Sequence, residues 1–68
     1  MTTITQKLGV KIAKIRKQKG LTQEKLAELA NVDYSYLNLI ESGKRNPSIK
    51  KVAKIARTLH VSLKELIP

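Results

Sequence analysis

The chain has 68 residues, and single domains usually run to about 100–150, so one domain spans residues 1–68 and no cleft between two lobes is possible. With no cysteine and a single histidine, disulfide staples and thiolate metal sites are excluded. His60 alone cannot build a zinc site, so no metal or cofactor is expected and an apolar core must hold the fold. Fourteen Lys and Arg against five Asp and Glu give a net charge of +9, which favours a polyanionic partner.

Apolar residues make up 41% and aromatics 3%, so the core must come from Ile, Leu, Val and Ala, a diet of packed helices. No run approaches the roughly 18–20 apolar residues of a membrane span. The start, MTTITQKLGV, lacks the basic-then-apolar layout of a secretory signal. The cytoplasm is the expected compartment.

Ile4, Leu8, Ile12 and Ile15 recur at helical intervals, predicting a first helix over about residues 5–18 that stops at Gly20. Thr22 reads as the N-cap of a second helix with Leu26, Leu29 and Ala30 facing inward. Asn31 tolerates positive φ and reverses the chain, and Asp33 caps a third helix from about Tyr34 to Ser42, ended by Gly43. Lys44-Arg45-Asn46-Pro47 is a loop. Ser48 caps a fourth helix with a stripe of Ile49, Val52, Ala53, Ala56 and Leu59. Ser62-Leu63-Lys64-Glu65 fits a capping box opening a fifth short helix with Leu66 and Ile67.

Residues 22–41, TQEKLAELANVDYSYLNLIE, carry the most information. Two short helices joined by a three-residue turn cross steeply, which restricts the residues at the crossing. Ala27 is small enough for close approach, Asn31 suits the turn, and Val32, Leu37 and Ile40 fill the angle. The segment resembles the helix-turn-helix family of phage repressors, Cro proteins and Xre-type bacterial regulators. The ESGKRNPS continuation and the stripe of the fourth helix also match, so the resemblance runs from about Leu8 to Ile67; Asn31 replaces the commoner Gly. It implies an all-α, compact five-helix, lambda-repressor-like DNA-binding domain.

On a helical wheel with Leu37 at zero, the buried side of the third helix centres near 330°. Ser35, Asn38, Leu39 and Ser42 fill the opposite face, and all are uncharged. In a chain with 28% charged residues, such a face is suited to contact. Asn pairs with adenine N6 and N7, Ser adapts, and Leu packs on a thymine methyl. Tyr34, Ser35, Asn38 and Leu39 are therefore the candidate base readers. Thr22, Gln23, Tyr36, Ser42, Lys44, Arg45 and Asn46 are candidates for phosphate contact. The resemblance implies that role for Gln23. Either tyrosine has an alternative role at the rim of the core.

Glu41 falls near 40° on the wheel, close to the core, and needs a partner. Arg16 is the cation available, and the resemblance implies that the two pair beneath the recognition helix. Lys7, Lys11, Lys14 and Lys17 read as a solvated face of the first helix, as do Lys50, Lys51, Lys54 and Arg57 of the fourth.

One recognition helix reads only about four or five base pairs, so two-fold pairing is expected, with two helices about 34 Å apart. Leu63 and Ile67 are the candidate dimer interface. The function expected is a sequence-specific double-stranded-DNA-binding transcriptional regulator, most simply a homodimeric repressor on a palindromic operator. Two alternatives are a restriction-modification controller, which activates and represses, and an antitoxin-type protein-interaction module. A membrane-surface role fits less well because the lysines sit on several helices. An enzyme is not expected: no nucleophile with an adjacent base and no glycine-rich phosphate loop is present.

Overall fold

Thr3 opens the first element by accepting a hydrogen bond from the Gln6 N–H at 3.1 Å, while the Gln6 side chain accepts from the Thr3 N–H at 2.9 Å. This reciprocal cap satisfies two backbone donors that a helix start leaves unpaired. The computed structural model describes residues 2–68 and contains four α-helices: α1 (Ile4–Gln18), α2 (Gln23–Ala30), α3 (Tyr34–Glu41) and α4 (Ile49–Leu59). Among the described residues there is no strand.

The fifth helix expected at the C-terminal end is only a 3-10 turn, Leu63–Glu65. Glu65 accepts from the Ser62 N–H at 2.9 Å, so the start signal is used. The following bonds mostly close i to i+3, as in Leu66 N–H to the Leu63 carbonyl at 3.0 Å. Pro68 explains the stop, because the residue before a proline is driven out of helical backbone.

The core is a single cluster. Leu8 and Ile12 of α1, Leu26, Ala27 and Ala30 of α2, Leu37 and Ile40 of α3, and Val52, Ile55, Ala56 and Leu59 of α4 are buried, and Leu66 closes it. α1 packs on α3, α2 on both α3 and α4, and α4 on the C-terminal turn. The placement of the outer helix α3 is thus set by two supports, α1 and α2.

Several expected core positions face water instead. Ile4 and Ile49 are exposed because each is the first residue of its helix, one turn short of its helix's first buried residue, and Leu29 is 51% exposed. Leu26, Ala27 and Ala30 centre the buried side of α2, and Leu29 lies about 110° round the helix from that centre. Ile55, which the stripe reading passed over, is fully buried, whereas Ala53 is only half-buried. The true period of α4 is Val52, Ile55, Ala56, Leu59, the i, i+3, i+4, i+7 pattern of one buried face.

The chain reversals carry positive φ at Gly20, Asn31, Gly43 and His60. Asn31 at φ 54° and ψ 50° ends α2 in left-handed backbone, a conformation Asn reaches more readily than other side chains. Asp33 occupies the N-cap position of α3 but makes no side-chain cap bond.

Candidate nucleic-acid interface

α3 stands with Leu37, Ile40 and Glu41 against the body and Tyr34, Ser35, Asn38 and Ser42 exposed. Leu39 is half-buried. After it the chain folds back, Gly43 N–H donating to the Ile40 carbonyl at 3.1 Å and Lys44 N–H to the Leu39 carbonyl at 2.9 Å. That is the paired arrangement by which a left-handed residue closes a helix.

Glu41 is held by three side-chain donors. Arg16 approaches from α1 with Nε 2.8 Å from Oε2 and an Nη 3.0 Å from Oε1, a two-pronged geometry. The side chains are only 9% and 4% exposed. The other Nη of Arg16 donates to the Leu21 carbonyl at 2.7 Å, tying the pair to the loop between α1 and α2. A bidentate guanidinium-carboxylate pair is strong and directional, and it fixes the last turn of α3 to α1.

Gln23, the first residue of α2, supplies the third donor: its Nε2 lies 2.9 Å from Glu41 Oε1. Its carbonyl oxygen accepts from Asn38 Nδ2 at 3.1 Å. The bonds therefore run continuously from the buried pair to the outer face of α3. Sequence spacing showed none of the Gln23 contacts, since they span 18 and 15 residues.

Around this face, Thr22 is exposed and caps α2 by accepting from the Lys25 N–H at 3.0 Å, leaving its hydroxyl proton free to donate. Ser42 instead donates its hydroxyl to the Leu39 carbonyl at 3.1 Å, and must give up that bond to donate to a phosphate. Lys44, Arg45 and Asn46 are exposed beside the end of α3, and Pro47 next to them is buried. Tyr36 is half-buried, with Lys51 Nζ 5.5 Å from its ring centroid, a cation–π contact joining α4 to the flank of α3. At the far end, Leu63 is half-buried against the core and Ile67 is 43% exposed.

Gly9 is a positioning residue that the sequence reading missed. A β-carbon there would meet the backbone carbonyl oxygens of Ile40 and Glu41, the latter at 2.7 Å, so α1 and α3 touch backbone to backbone. The available signal was a glycine in mid-helix, which costs about 1 kcal/mol relative to alanine and needs a packing reason.

Two short helices crossing at a three-residue turn, the second exposed along one side, define a helix-turn-helix module. The sequence model of the Helix-turn-helix family matches residues 12–66, and the chain belongs to that family. It is 40% identical over 67 residues to control protein C.MunI of a Mycoplasma species, covering 97% of this chain and 90% of that one. Its fold is similar to the restriction-modification controller protein C.AhdI from Aeromonas hydrophila, with a TM-score of 0.90, 38% identity and coverage of 93% and 96% of the two chains. It is also similar to the biofilm master regulator SinR in complex with DNA, with a TM-score of 0.83, 42% identity and coverage of 87% and 95%. SinR from Bacillus subtilis is 41% identical over 61 residues, which is 88% of this chain and 55% of that relative. No helix among the described residues is long and apolar enough to cross a membrane, and these residues contain no metal-binding cluster of His, Cys, Asp or Glu.

Proposed function

We propose that this chain is a transcriptional regulator, not an enzyme, that binds double-stranded DNA sequence-specifically as a homodimer, with α3 in the major groove. The observation that carries the reading is the exposed, uncharged row of Tyr34, Ser35 and Asn38, with half-buried Leu39, on a body of net charge +9. Base edges are neutral hydrogen-bonding surfaces between phosphates, and an uncharged face on a cationic body suits them. Thr22, Gln23, Tyr36, Lys44, Arg45 and Asn46 are the phosphate partners in this reading, with Ser42 joining after its hydroxyl rotates.

Asn38→Ala is expected to weaken the preferred site by about 1–3 kcal/mol and to leave random DNA almost unaffected. Lys44→Ala should weaken both alike and lower the salt dependence of binding by about one counterion. Titrating labelled duplexes at several salt concentrations checks both. Equal losses on the two DNAs for Asn38→Ala remove α3 from base reading.

Dimerisation is assigned to the C-terminal turn. Ile67 is the cleaner probe, because Leu63 also packs on the core. Ile67→Lys is expected to shift sedimentation toward monomer at micromolar concentration and to weaken a palindromic site far more than a half-site. A wild-type chain that stays monomeric there excludes the interface.

Among regulators, a restriction-modification controller is the second reading. C.MunI and C.AhdI are matched over 90% and 96% of their own lengths, against 55% for the SinR relative. Binding to a promoter beside a restriction-modification operon, with both activation and repression in a reporter assay, is the distinguishing result.

A further inference from the structure

We infer that the buried Arg16–Glu41 pair, acting through Gln23, sets the donor and acceptor polarity of Asn38 and so makes it select adenine over guanine. This rests on the reading of α3 as a base-reading helix and adds positioning roles for Gln23 and Glu41.

The argument is one of hydrogen-bond parity. A carboxylate only accepts, and a guanidinium only donates. Glu41, clamped by Arg16, therefore turns the amide nitrogen of Gln23 toward itself, at 2.9 Å. The Gln23 carbonyl oxygen must then face the other way, and it accepts from Asn38 Nδ2 at 3.1 Å. Asn38 keeps one N–H and its Oδ1 for the exposed side of α3. That donor and acceptor together match adenine, which presents the N7 acceptor and the N6 amino donor in the major groove. Were the chain of amides reversed, Gln23 would donate to Oδ1, and Asn38 would lead with two N–H donors, the complement of guanine O6 and N7.

An amide by itself can face either way; the fixed charge at the root of the relay removes that freedom. Glu41→Gln keeps the size of the side chain but restores the choice. Both carboxylate oxygens accept from Arg16, so whichever way the new amide turns, an N–H opposes a guanidinium donor, and Gln23 is no longer held to one direction. Gln23→Met breaks the series and leaves both Arg16 bonds to Glu41 in place.

The test is binding of the full chain to duplexes obtained by selection from random sequence, followed by paired duplexes differing only at the base that Asn38→Ala ceases to discriminate. In the wild type that base is expected to be adenine. Replacing it with purine, which lacks the N6 amino group, or with guanine should weaken binding roughly 5- to 100-fold. Gln23→Met should cut the adenine-to-guanine ratio by about fivefold or more, and Glu41→Gln should lower it as well, with thermal melts confirming that each variant is folded. A Glu41→Gln chain that does not fold leaves the decision to Gln23→Met. Gln23→Met lowering affinity for every duplex equally, with the ratio intact, overturns the relay while base reading by Asn38 stands. No base discriminated by Asn38 overturns both.

Discussion

Glu41→Ala is expected to cost about 3–5 kcal/mol, because it leaves the Arg16 guanidinium buried without its counter-charge. The side chains of the pair are 9% and 4% exposed, so water cannot replace the lost carboxylate without opening the contact between α1 and α3. A chain of this size has a total stability of roughly 3–10 kcal/mol, so the variant loses a third of it or more. Its Tm should fall by more than about 12 °C, read by circular dichroism. Removing both charges is a different matter. Arg16→Met combined with Glu41→Met replaces the pair with apolar volume, and such exchanges are often neutral. Most of the lost stability should return, apart from the hydrogen bonds that the Leu21 carbonyl and the Gln23 amide lose. A Glu41→Ala melt within about 2 °C of the wild type shows that the pair does not hold the helices.

Gly9→Ala has the second-largest expected effect, and two terms of opposite sign decide it. Alanine in mid-helix gains about 0.5–1 kcal/mol over glycine. Against this, the new methyl meets the Ile40 and Glu41 carbonyl oxygens well inside the 3.4 Å of ordinary contact, and these are backbone atoms. A side chain would rotate away; a helix end can only retreat as a body. Overpacking of this kind costs typically about 1–3 kcal/mol and sometimes more, so the clash wins and the variant is less stable. The retreat also moves the last turn of α3, which bears Asn38 and Glu41. Loss of affinity for a selected site should therefore exceed the loss for random DNA. Val10→Ala, one residue further on and 63% exposed, should change stability by no more than about 0.5 kcal/mol. A Gly9→Ala chain as stable as the wild type contradicts the backbone contact.

The order and approximate ends of the four helices were legible because they depend on local chemistry. Thr22 and Ser48 cap, Asn31 and Gly43 reverse the chain, and Leu37, Ile40 and Glu41 share one side of an eight-residue helix. Each of these is a relation between residues no more than about four apart. The outward placement of Ser35 and Asn38 follows from the same periodicity, as does the need of Glu41 for a cation. Arg16 was reachable only by supply: it is a cation at the end of the first helix, and the family resemblance pointed to it.

What the tertiary structure decided are the quantities that no window of sequence contains. A wheel of α2 or α4 allows more than one apolar stripe, and packing against the neighbouring helices selects the one that buries Ile55 and leaves Leu29 exposed. Gly9 is fixed by a meeting of two backbones 31 and 32 residues apart in the chain. The hydrogen-bond series from Arg16 through Glu41 and Gln23 to Asn38 draws on three helices. Local chemistry set the order of α1 to α4 and the outward side of α3, but neither the extent of the fifth helix nor the buried stripe of α4. Only the packing of α1 and α2 against α3 decided how the exposed amide is turned, because hydrogen-bond direction is set by the partner at the other end.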